Sequence, residues 1–136
     1  MNNTRFATAI HILVLLAKYS DQWLSSEWIA GSINVNPVIV RKELINLQAA
    51  NLVGSRKGKD GGYKLKKLAS QISIADVYLA IKSSEILGKK NTNPNPKCPV
   101  GRLINDKLNN LFEETEAIFI SSLSGKSLQD FASSFN

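Results

Sequence analysis

The chain has 136 residues, of which 43% are hydrophobic, and this is enough for one folded unit with its own core. Its single cysteine excludes an intramolecular disulfide, so we expect a reducing, cytoplasmic environment. The apolar runs fall short of the ~20 residues that a membrane helix needs, and we expect no membrane-spanning segment.

The formal net charge of +6 is confined to one part of the chain. Between residues 41 and 67, eight basic residues stand against two acidic ones, whereas residues 71–136 carry seven of each sign. Charge that is concentrated in this way is typical of a surface that meets an anionic partner. The eight basic residues are Arg41, Lys42, Arg56, Lys57, Lys59, Lys64, Lys66 and Lys67.

The first predicted helix is apolar around much of its circumference. Phe6, Ile10 and Leu13 recur at three- and four-residue steps, and Ile12 and Val14 add a second apolar face. We therefore expect this helix to be buried on more than one side.

A short second helix is predicted after Ser25, whose side chain can cap its first turn. Trp28 and the two residues after it are expected to point inward. The helix should end near residues 31–32.

After a brief turn, Asn36 and Pro37 predict the start of a third helix, because an N-cap side chain is followed by a proline where no amide hydrogen is needed. This helix should run to about Ala50. It should stop at Asn51, a residue type that tolerates the left-handed conformation.

Two short strands with a basic tip between them are predicted next. Leu52 and Val53 form the first strand, and the alternating residues 63–66 form the second. Residues 55–62 are rich in glycine and lysine, which is typical of the tip of a hairpin.

A fourth helix and a loop follow the hairpin. Ser73 and Asp76 form a capping-box-like start for a helix that runs through Ile81. The composition of residues 88–97 is typical of a loop.

Pro99 opens the longest helical pattern, about 25 residues or ~37 Å long. A helix of this length at the edge of a small unit predicts a partner. A short terminal helix is predicted to start at Ser127. We expect a DNA-binding unit of residues 1–82 and a second part of residues 83–136. The predicted dimerisation residues on the long helix are Ile104, Leu108, Leu111 and Ile118.

Two short helices joined by a tight turn and followed by a basic hairpin predict a winged helix-turn-helix fold, mainly α with a small β-hairpin wing and a long C-terminal dimerisation helix. In this arrangement the second helix of the pair enters the major groove of duplex DNA, and the hairpin contacts the adjacent backbone. On the third helix, Val40, Leu44 and Leu47 share the inward face. The predicted DNA-binding residues are Asn36, Pro37, Val38, Arg41, Lys42, Arg56, Lys57, Gly58, Lys59, Gly61, Gly62 and Tyr63.

Arg41 suits base reading best, because a guanidinium can donate two parallel hydrogen bonds to a guanine edge. Lys42 can neutralise phosphate or reach the same acceptors. The alternative is that both are solvated surface charges. In the hairpin, Gly58, Gly61 and Gly62 allow positive backbone dihedrals and a close approach to a sugar-phosphate surface, although a purely structural turn is the alternative.

The segment of residues 25–65 resembles the DNA-binding half of the Rrf2 family, which includes the iron–sulfur cluster regulator, the nitric-oxide-sensing repressor and the cysteine-metabolism repressor. The most specific parts are NPVIVRK at 36–42 and GSRKGKDGGY at 54–63. The resemblance extends more weakly through residues 72–77 and the long helix. It implies a homodimer in which the long helix crosses its partner, and we expect a transcription regulator, a repressor, on a pseudo-palindromic operator in double-stranded DNA.

The resemblance also implies roles for individual residues. Residues 36–42 match the recognition-helix contacts of the family, and Lys57 matches a basic wing-tip residue that enters the minor groove. Asn51 departs from the glycine that is common at that helix end, a conformationally mild change.

The cysteine content departs further from the family. Members that carry an iron–sulfur cluster use three cysteines in the loop before the long helix, and this chain has only Cys98 there. One thiolate cannot replace that ligand set, so we expect no cofactor and no metal. His11 is far from Cys98 in sequence and is expected to be a packed or surface residue. The segment KCPVGR at 97–102 resembles the cluster-free, single-cysteine branch of the family.

Cys98 itself has two interpretations. The start of the long helix and the lysines of the preceding loop, Lys89, Lys90 and Lys97, would favour its thiolate, which is the form that a redox sensor needs. The alternative is an inert residue at the helix start. The residues do not identify an effector.

Two other classes of function compete with DNA binding. A winged-helix module can act as a protein–protein adaptor, which the basic hairpin disfavours. An enzyme would need a catalytic constellation, and none stands out. Residues 54–59 resemble a phosphate loop, but three residues instead of four intervene and Asp60 stands where the metal-binding Ser or Thr belongs.

Overall fold

The computed structural model describes residues 3–83 and 86–135; residues 1–2, 84–85 and 136 lie outside the described part. The described chain forms helices around one two-stranded antiparallel sheet, which confirms the predicted fold class. The elements are α1 (Arg5–Lys18), α2 (Ser26–Ile33), α3 (Pro37–Ala49), β1 (Val53–Arg56), β2 (Gly62–Leu65), α4 (Ile74–Ile81), α5 (Pro99–Ser124) and α6 (Leu128–Ser133).

Side-chain caps fix where most of the helices begin. Ser25 and Asn36 accept hydrogen bonds from the first free backbone N–H groups of α2 and α3, at 3.1 and 2.9 Å. Ser73 and Asp76 form a full capping box at the start of α4. Ser127 caps α6 in the same way as Ser25 caps α2. These starts confirm the sequence-based predictions.

Helix ends were predicted less well. α2 continues to Ile33, beyond the predicted end at residues 31–32, because Asn34 adopts the left-handed conformation (φ 65°) that terminates it. Asn51 adopts the same conformation (φ 62°) after α3, as predicted. The strands lie within one to three residues of their predicted positions.

The prediction that Trp28 points into the core was wrong. Its side chain is 47% exposed and its ring packs edge-on against Tyr19, with 5.3 Å between the ring centroids. An eight-residue helix needs only a narrow apolar stripe, and Ile29 and Ala30 supply the buried positions of α2.

The core surrounds α1, which is buried on several sides as predicted. It packs against α2, α3, α4, α6 and β2. On α3, Val40, Leu44 and Leu47 are fully buried, which confirms the predicted inward face. The recognition-helix candidate therefore rests on α1, and its opposite face is left to solvent.

α5 lies at the edge of this core and has no fully buried residue. Its C-terminal half packs on α4, where the rings of Tyr78 and Phe119 lie 4.8 Å apart. α6 then returns to the core, where Leu128 is completely buried. The predicted division after residue 82 stays a prediction, and α6 packs across it. Among the described helices, none combines the length and apolarity needed to cross a bilayer.

Candidate nucleic-acid interface

The α2–turn–α3 unit presents one face of α3 to solvent. Val38, Arg41, Lys42 and Ile45 are all exposed, and Asn36 is exposed at the start of the helix. Pro37 occupies the first turn, where a missing N–H costs nothing. This face carries two cations and no anion, so it can approach a polyanionic surface.

Arg41 is engaged by the preceding helix, which the sequence did not predict. Its Nη2 lies 2.7 Å from Oε2 of Glu27, and its Nε donates to Oγ of Ser26 at 3.2 Å. The hydrogen bond from Arg41 is the largest cause that holds the pKa of the Glu27 carboxyl below its ordinary value. Glu27 is the acidic residue in the first turn of α2, and no part in DNA binding was predicted for it from the sequence. The structure therefore brings Glu27 into the candidate interface.

A second ion pair fixes α3 against α1. Glu43 is only 5% exposed, and Arg5 contacts both of its carboxylate oxygens, with Nε at 3.1 Å and Nη2 at 3.4 Å. Asn46 also donates to this carboxylate at 3.2 Å. A buried carboxylate with three donors is well satisfied, so the pair sets the direction of α3. Arg5 and Glu43 are far apart in sequence, and no local pattern could have joined them.

β1 and β2 form the predicted wing. Val53 pairs with Leu65 at its base and Arg56 pairs with Gly62 at its end, which leaves residues 57–61 as the tip. Gly58 and Gly62 have positive φ values of 102° and 149°, as predicted for this turn. Gly61 does not, so that part of the prediction was wrong. Gly61 is instead required by close packing.

The wing is attached to the rest of the molecule at two places. Leu24 and Tyr63 exchange backbone hydrogen bonds of 3.1 and 2.8 Å, so the segment before α2 adds a bridge on the free side of β2. Gln48 of α3 donates to Oγ of Ser55 in β1 at 3.1 Å. α3 and the wing are therefore joined directly by a hydrogen bond as well as through the core.

Trp23 organises the basic side chains of the wing. The guanidinium of Arg56 lies 4.7 Å from its ring centroid, and Nζ of Lys64 lies 5.1 Å from it. Arg56 also donates to the backbone carbonyl of Asp60 across the tip. Lys57 and Lys59 are exposed at the tip itself. No signal for Trp23 could be found in the sequence beyond its being an aromatic residue ahead of a helix.

Cys98 is the N-cap residue of α5 and is exposed. The backbone N–H groups of Gly101 and, to a smaller extent, Val100 hold the pKa of its thiol below the ordinary value. The predicted contribution of loop lysines is absent from these causes. Lys90 instead contacts Asn109 and lies over the ring of Phe112, well along α5.

The donor set near Cys98 does not fit the iron–sulfur cluster of the family. Within residues 3–83 and 86–135, no three His, Cys, Asp or Glu side chains are grouped so that they could hold a metal ion. His11 Nε2 lies 3.0 Å from Oγ of Ser32, so this histidine joins α1 to α2. A cluster that needs three cysteine thiolates has one available thiol here.

The predicted dimerisation residues follow one side of α5. Leu111 is 49% exposed and Ile118 is 73% exposed, while Ile104 and Leu108 are half-buried. The opposite side of the helix is held by the loop before it, where Asn105 donates to the carbonyl of Asn91 at 2.9 Å. An apolar stripe is thus left uncovered in the single chain.

Several known proteins are similar to this chain. YwnA of Bacillus subtilis (strain 168), named as an HTH-type transcriptional regulator, is 44% identical over 130 residues, which cover 96% of each chain. A crystal structure described as a DNA-binding protein is 39% identical, with a TM-score of 0.75 and coverage of 93% of this chain and 97% of the other. CymR, the global cysteine regulator of B. subtilis, has the same fold at 21% identity, with a TM-score of 0.72 over 100% and 98% of the two chains.

Residues 2–134 match the Rrf2 family, which is described as iron-dependent transcriptional regulators. The match spans the helix-turn-helix, the wing and the long helix. The family name and the names of the relatives describe regulators that bind DNA and not enzymes. Taken with the fold and the basic interface, the match shows that the chain belongs to the Rrf2 family of transcriptional regulators.

Proposed function

We propose that this Rrf2-family regulator is a cytoplasmic repressor that binds a pseudo-palindromic operator as a homodimer and works without a resident cluster. The observation that carries the proposal is the hydrogen bond between Gln48 and Ser55, which couples the exposed cationic face of α3 to the exposed basic wing. A helix and a wing held together in this way can engage a groove and the neighbouring backbone at the same time.

The exposed side chains suggest a division of roles. Asn36, Val38 and Arg41 stand on the first turns of α3, where a recognition helix meets base edges, and Lys42 would contact phosphate. Lys57 at the wing tip would enter the minor groove, as its match in the family does. Lys59 would neutralise phosphate.

The remaining predicted wing residues would act through shape. Arg56 lies over Trp23 and bonds the Asp60 carbonyl, so it adds charge while it holds the tip closed. Gly58, Gly61, Gly62 and Tyr63 would set the path of the backbone rather than contact bases.

The exposed stripe of α5 supports the homodimer. In a single chain, water covers the large apolar side chains of Leu111 and Ile118. A second copy carries an identical stripe, so the two stripes can cover each other. A two-fold dimer places two copies of α3 on successive major grooves, so the operator should have two inverted half-sites.

Selection of bound fragments from the genome of the source organism, by the full-length protein at physiological salt, tests the proposal. We expect enrichment of a few sites that share an inverted repeat. Recovery of no fragment above a heat-denatured control would contradict DNA binding and favour a protein–protein adaptor. Enrichment of a non-symmetric sequence would contradict the dimeric arrangement.

Two substitutions separate base reading from phosphate contact. Arg41→Ala should cost about 1–3 kcal/mol of binding free energy on the selected operator and relax the preference at one base pair per half-site. Lys59→Ala should weaken binding to operator and random duplex alike, and should reduce the salt dependence. Fluorescence anisotropy titrations at several salt concentrations measure both effects. Equal losses on operator and random DNA for both variants would remove the assigned roles.

A further inference from the structure

We infer that Glu27 is a specificity-determining residue of this regulator, which positions the guanidinium of Arg41 so that its terminal edge is presented to a guanine. The inference rests on the proposed function. Glu27 itself does not need to touch DNA, because it acts through Arg41.

Only one edge of the Arg41 guanidinium is occupied within the protein. Ser26 takes the Nε–H at 3.2 Å, and Glu27 takes one N–H of Nη2 at 2.7 Å. Nε and Nη2 form the side edge of the planar guanidinium. The terminal edge, made of Nη1 and the second N–H of Nη2, is left for another acceptor. Those two donors are parallel and match the O6 and N7 acceptors of guanine.

The Nε and Nη2 edge of Arg41 is held by residues whose own positions are restricted. Ser26 is buried, and its Oγ also donates to Oε2 of Glu27 at 3.1 Å. Arg41, Ser26 and Glu27 therefore form a closed triangle across the α2–α3 turn. A guanidinium gripped at two atoms cannot rotate freely about its last bonds, so it reaches DNA already oriented.

The ion pair between Arg41 and Glu27 contributes to DNA recognition and not to the stability of the fold. The side chains of Arg41 and Glu27 are 47% and 64% exposed, so solvent screens their attraction and the pair contributes little to fold stability. A carboxylate on the DNA-facing side also repels phosphate. Glu27 should therefore lower the affinity for DNA in general while it sharpens the choice of base, which is how a repulsive element contributes to specificity.

Two substitutions separate charge from orientation. Glu27→Gln keeps an oxygen that can accept from Arg41 but removes the negative charge, whereas Glu27→Ala removes both. Glu113→Ala on α5 is the control, because Glu113 is an exposed carboxylate on another helix. Three duplexes serve as probes: the genome-selected operator, a changed operator and a random duplex. The changed operator differs at the base pair where Arg41→Ala loses the preference that the wild type shows.

We expect Glu27→Ala to bind random duplex more tightly and to lose about tenfold of its preference for the operator over the changed duplex. Glu27→Gln should bind random duplex more tightly but keep most of that preference. In the Arg41→Ala background, Glu27→Ala should cause no further loss of preference, since the two residues act as one unit. Thermal unfolding should change only slightly in these variants, because the side chains of Glu27, Arg41 and Glu113 are exposed.

Full base preference in Glu27→Ala would overturn the inference, and so would preference losses that add independently to those of Arg41→Ala. An Arg41→Ala variant without any change of base preference would also overturn it. These outcomes leave the proposed function intact as long as the wild type prefers its operator. A wild type that binds all duplexes equally would instead contradict the proposed function.

Discussion

Backbone N–H groups lower the pKa of the Cys98 thiol. The thiol stands at the N-terminus of α5, where the N–H groups of Gly101 and Val100 stabilise a negative charge. Lys90, one of the loop lysines that the sequence suggested, is engaged with Asn109 instead. A lowered pKa raises the thiolate fraction near neutral pH, but it does not by itself make the residue a sensor.

The folded protein should therefore react with iodoacetamide faster at neutral pH than an ordinary thiol does. We expect the midpoint of the alkylation rate against pH to lie below the free-cysteine value of about 8.5. The same chain in denaturant is the control, because unfolding removes the helix amides, and Cys98→Ser gives the background. Coincident midpoints for the folded and unfolded chain would contradict the effect of the helix N-terminus.

Residue-level chemistry was predictable where it is local. Asn36, Asn51 and Ser73 take their positions from side-chain to backbone hydrogen bonds or from backbone preferences that span only a few residues. The pairs Arg5–Glu43 and Arg41–Glu27 were not predictable, because each joins separate helices. Charged residues that appeared to be free surface groups are thus engaged in the folded chain.

Among the elements, the wing depends on close approaches of its backbone, of which the closest is at Gly61. A Cβ atom added at Gly61 would lie 2.0 Å from the carbonyl oxygen of Arg56, which no side chain can do without moving the strand. Gly54, in β1, has no atom within 4 Å of the corresponding position. The two glycines are therefore a matched pair.

Gly61→Ala should open the tip, lower the stability of the wing by about 1–3 kcal/mol and weaken binding to every duplex. Gly54→Ala should do neither to the same extent. Hydrogen exchange of the β1 and β2 amides and anisotropy titrations measure the two effects. If both variants behave alike, the tip does not need the geometry seen here.

Elements were predicted well in type and less well in orientation. The alternation of residues 63–66 and the glycines of the tip indicated a hairpin, because these signals are local. Trp28 was placed on the wrong side because a two-turn helix carries too few residues to define an apolar face. The stacking of Arg56 and Lys64 on Trp23 depends on how the chain before α2 returns to β2, which no local pattern encodes.

On the scale of the whole molecule, the uncovered stripe of α5 is the surface through which we propose that two chains associate. Leu111 and Ile118 are exposed in the single chain, so their replacement should leave its fold intact. The double variant Leu111→Asp with Ile118→Asp should weaken association by about 2 kcal/mol or more, since it places charge in an apolar seam. Sedimentation equilibrium at micromolar concentration measures it.

Asn109→Asp is the control for that variant, because Asn109 is exposed on the opposite side of α5, roughly 160–180° around the helix from Leu111 and Ile118, and adds one negative charge. We expect the control and the wild type to sediment as dimers. A wild type that sediments as a monomer, or a double variant that stays dimeric, would contradict the proposed seam. The long helix was predictable from its repeat, and its uncovered stripe is the surface on which we propose that a second copy packs.

The return of α6 to the core has a consequence for how this chain can diverge. Backbone hydrogen bonds of 2.8 Å join Ile74 to Lys126 and Leu128 to Ile72, so the start of α4 is fastened to the chain that follows the C-terminal end of α5. The segment of residues 88–97 contacts the N-terminal half of α5, through Lys90 and Asn91, and is not needed to hold the C-terminal end of α5 on α4. Insertions, deletions and the gain or loss of cysteines can accumulate there while the groove-facing helix and the wing keep their geometry. The part of the chain most open to new sensory chemistry is thereby separated from the part that must stay constant to recognise an operator.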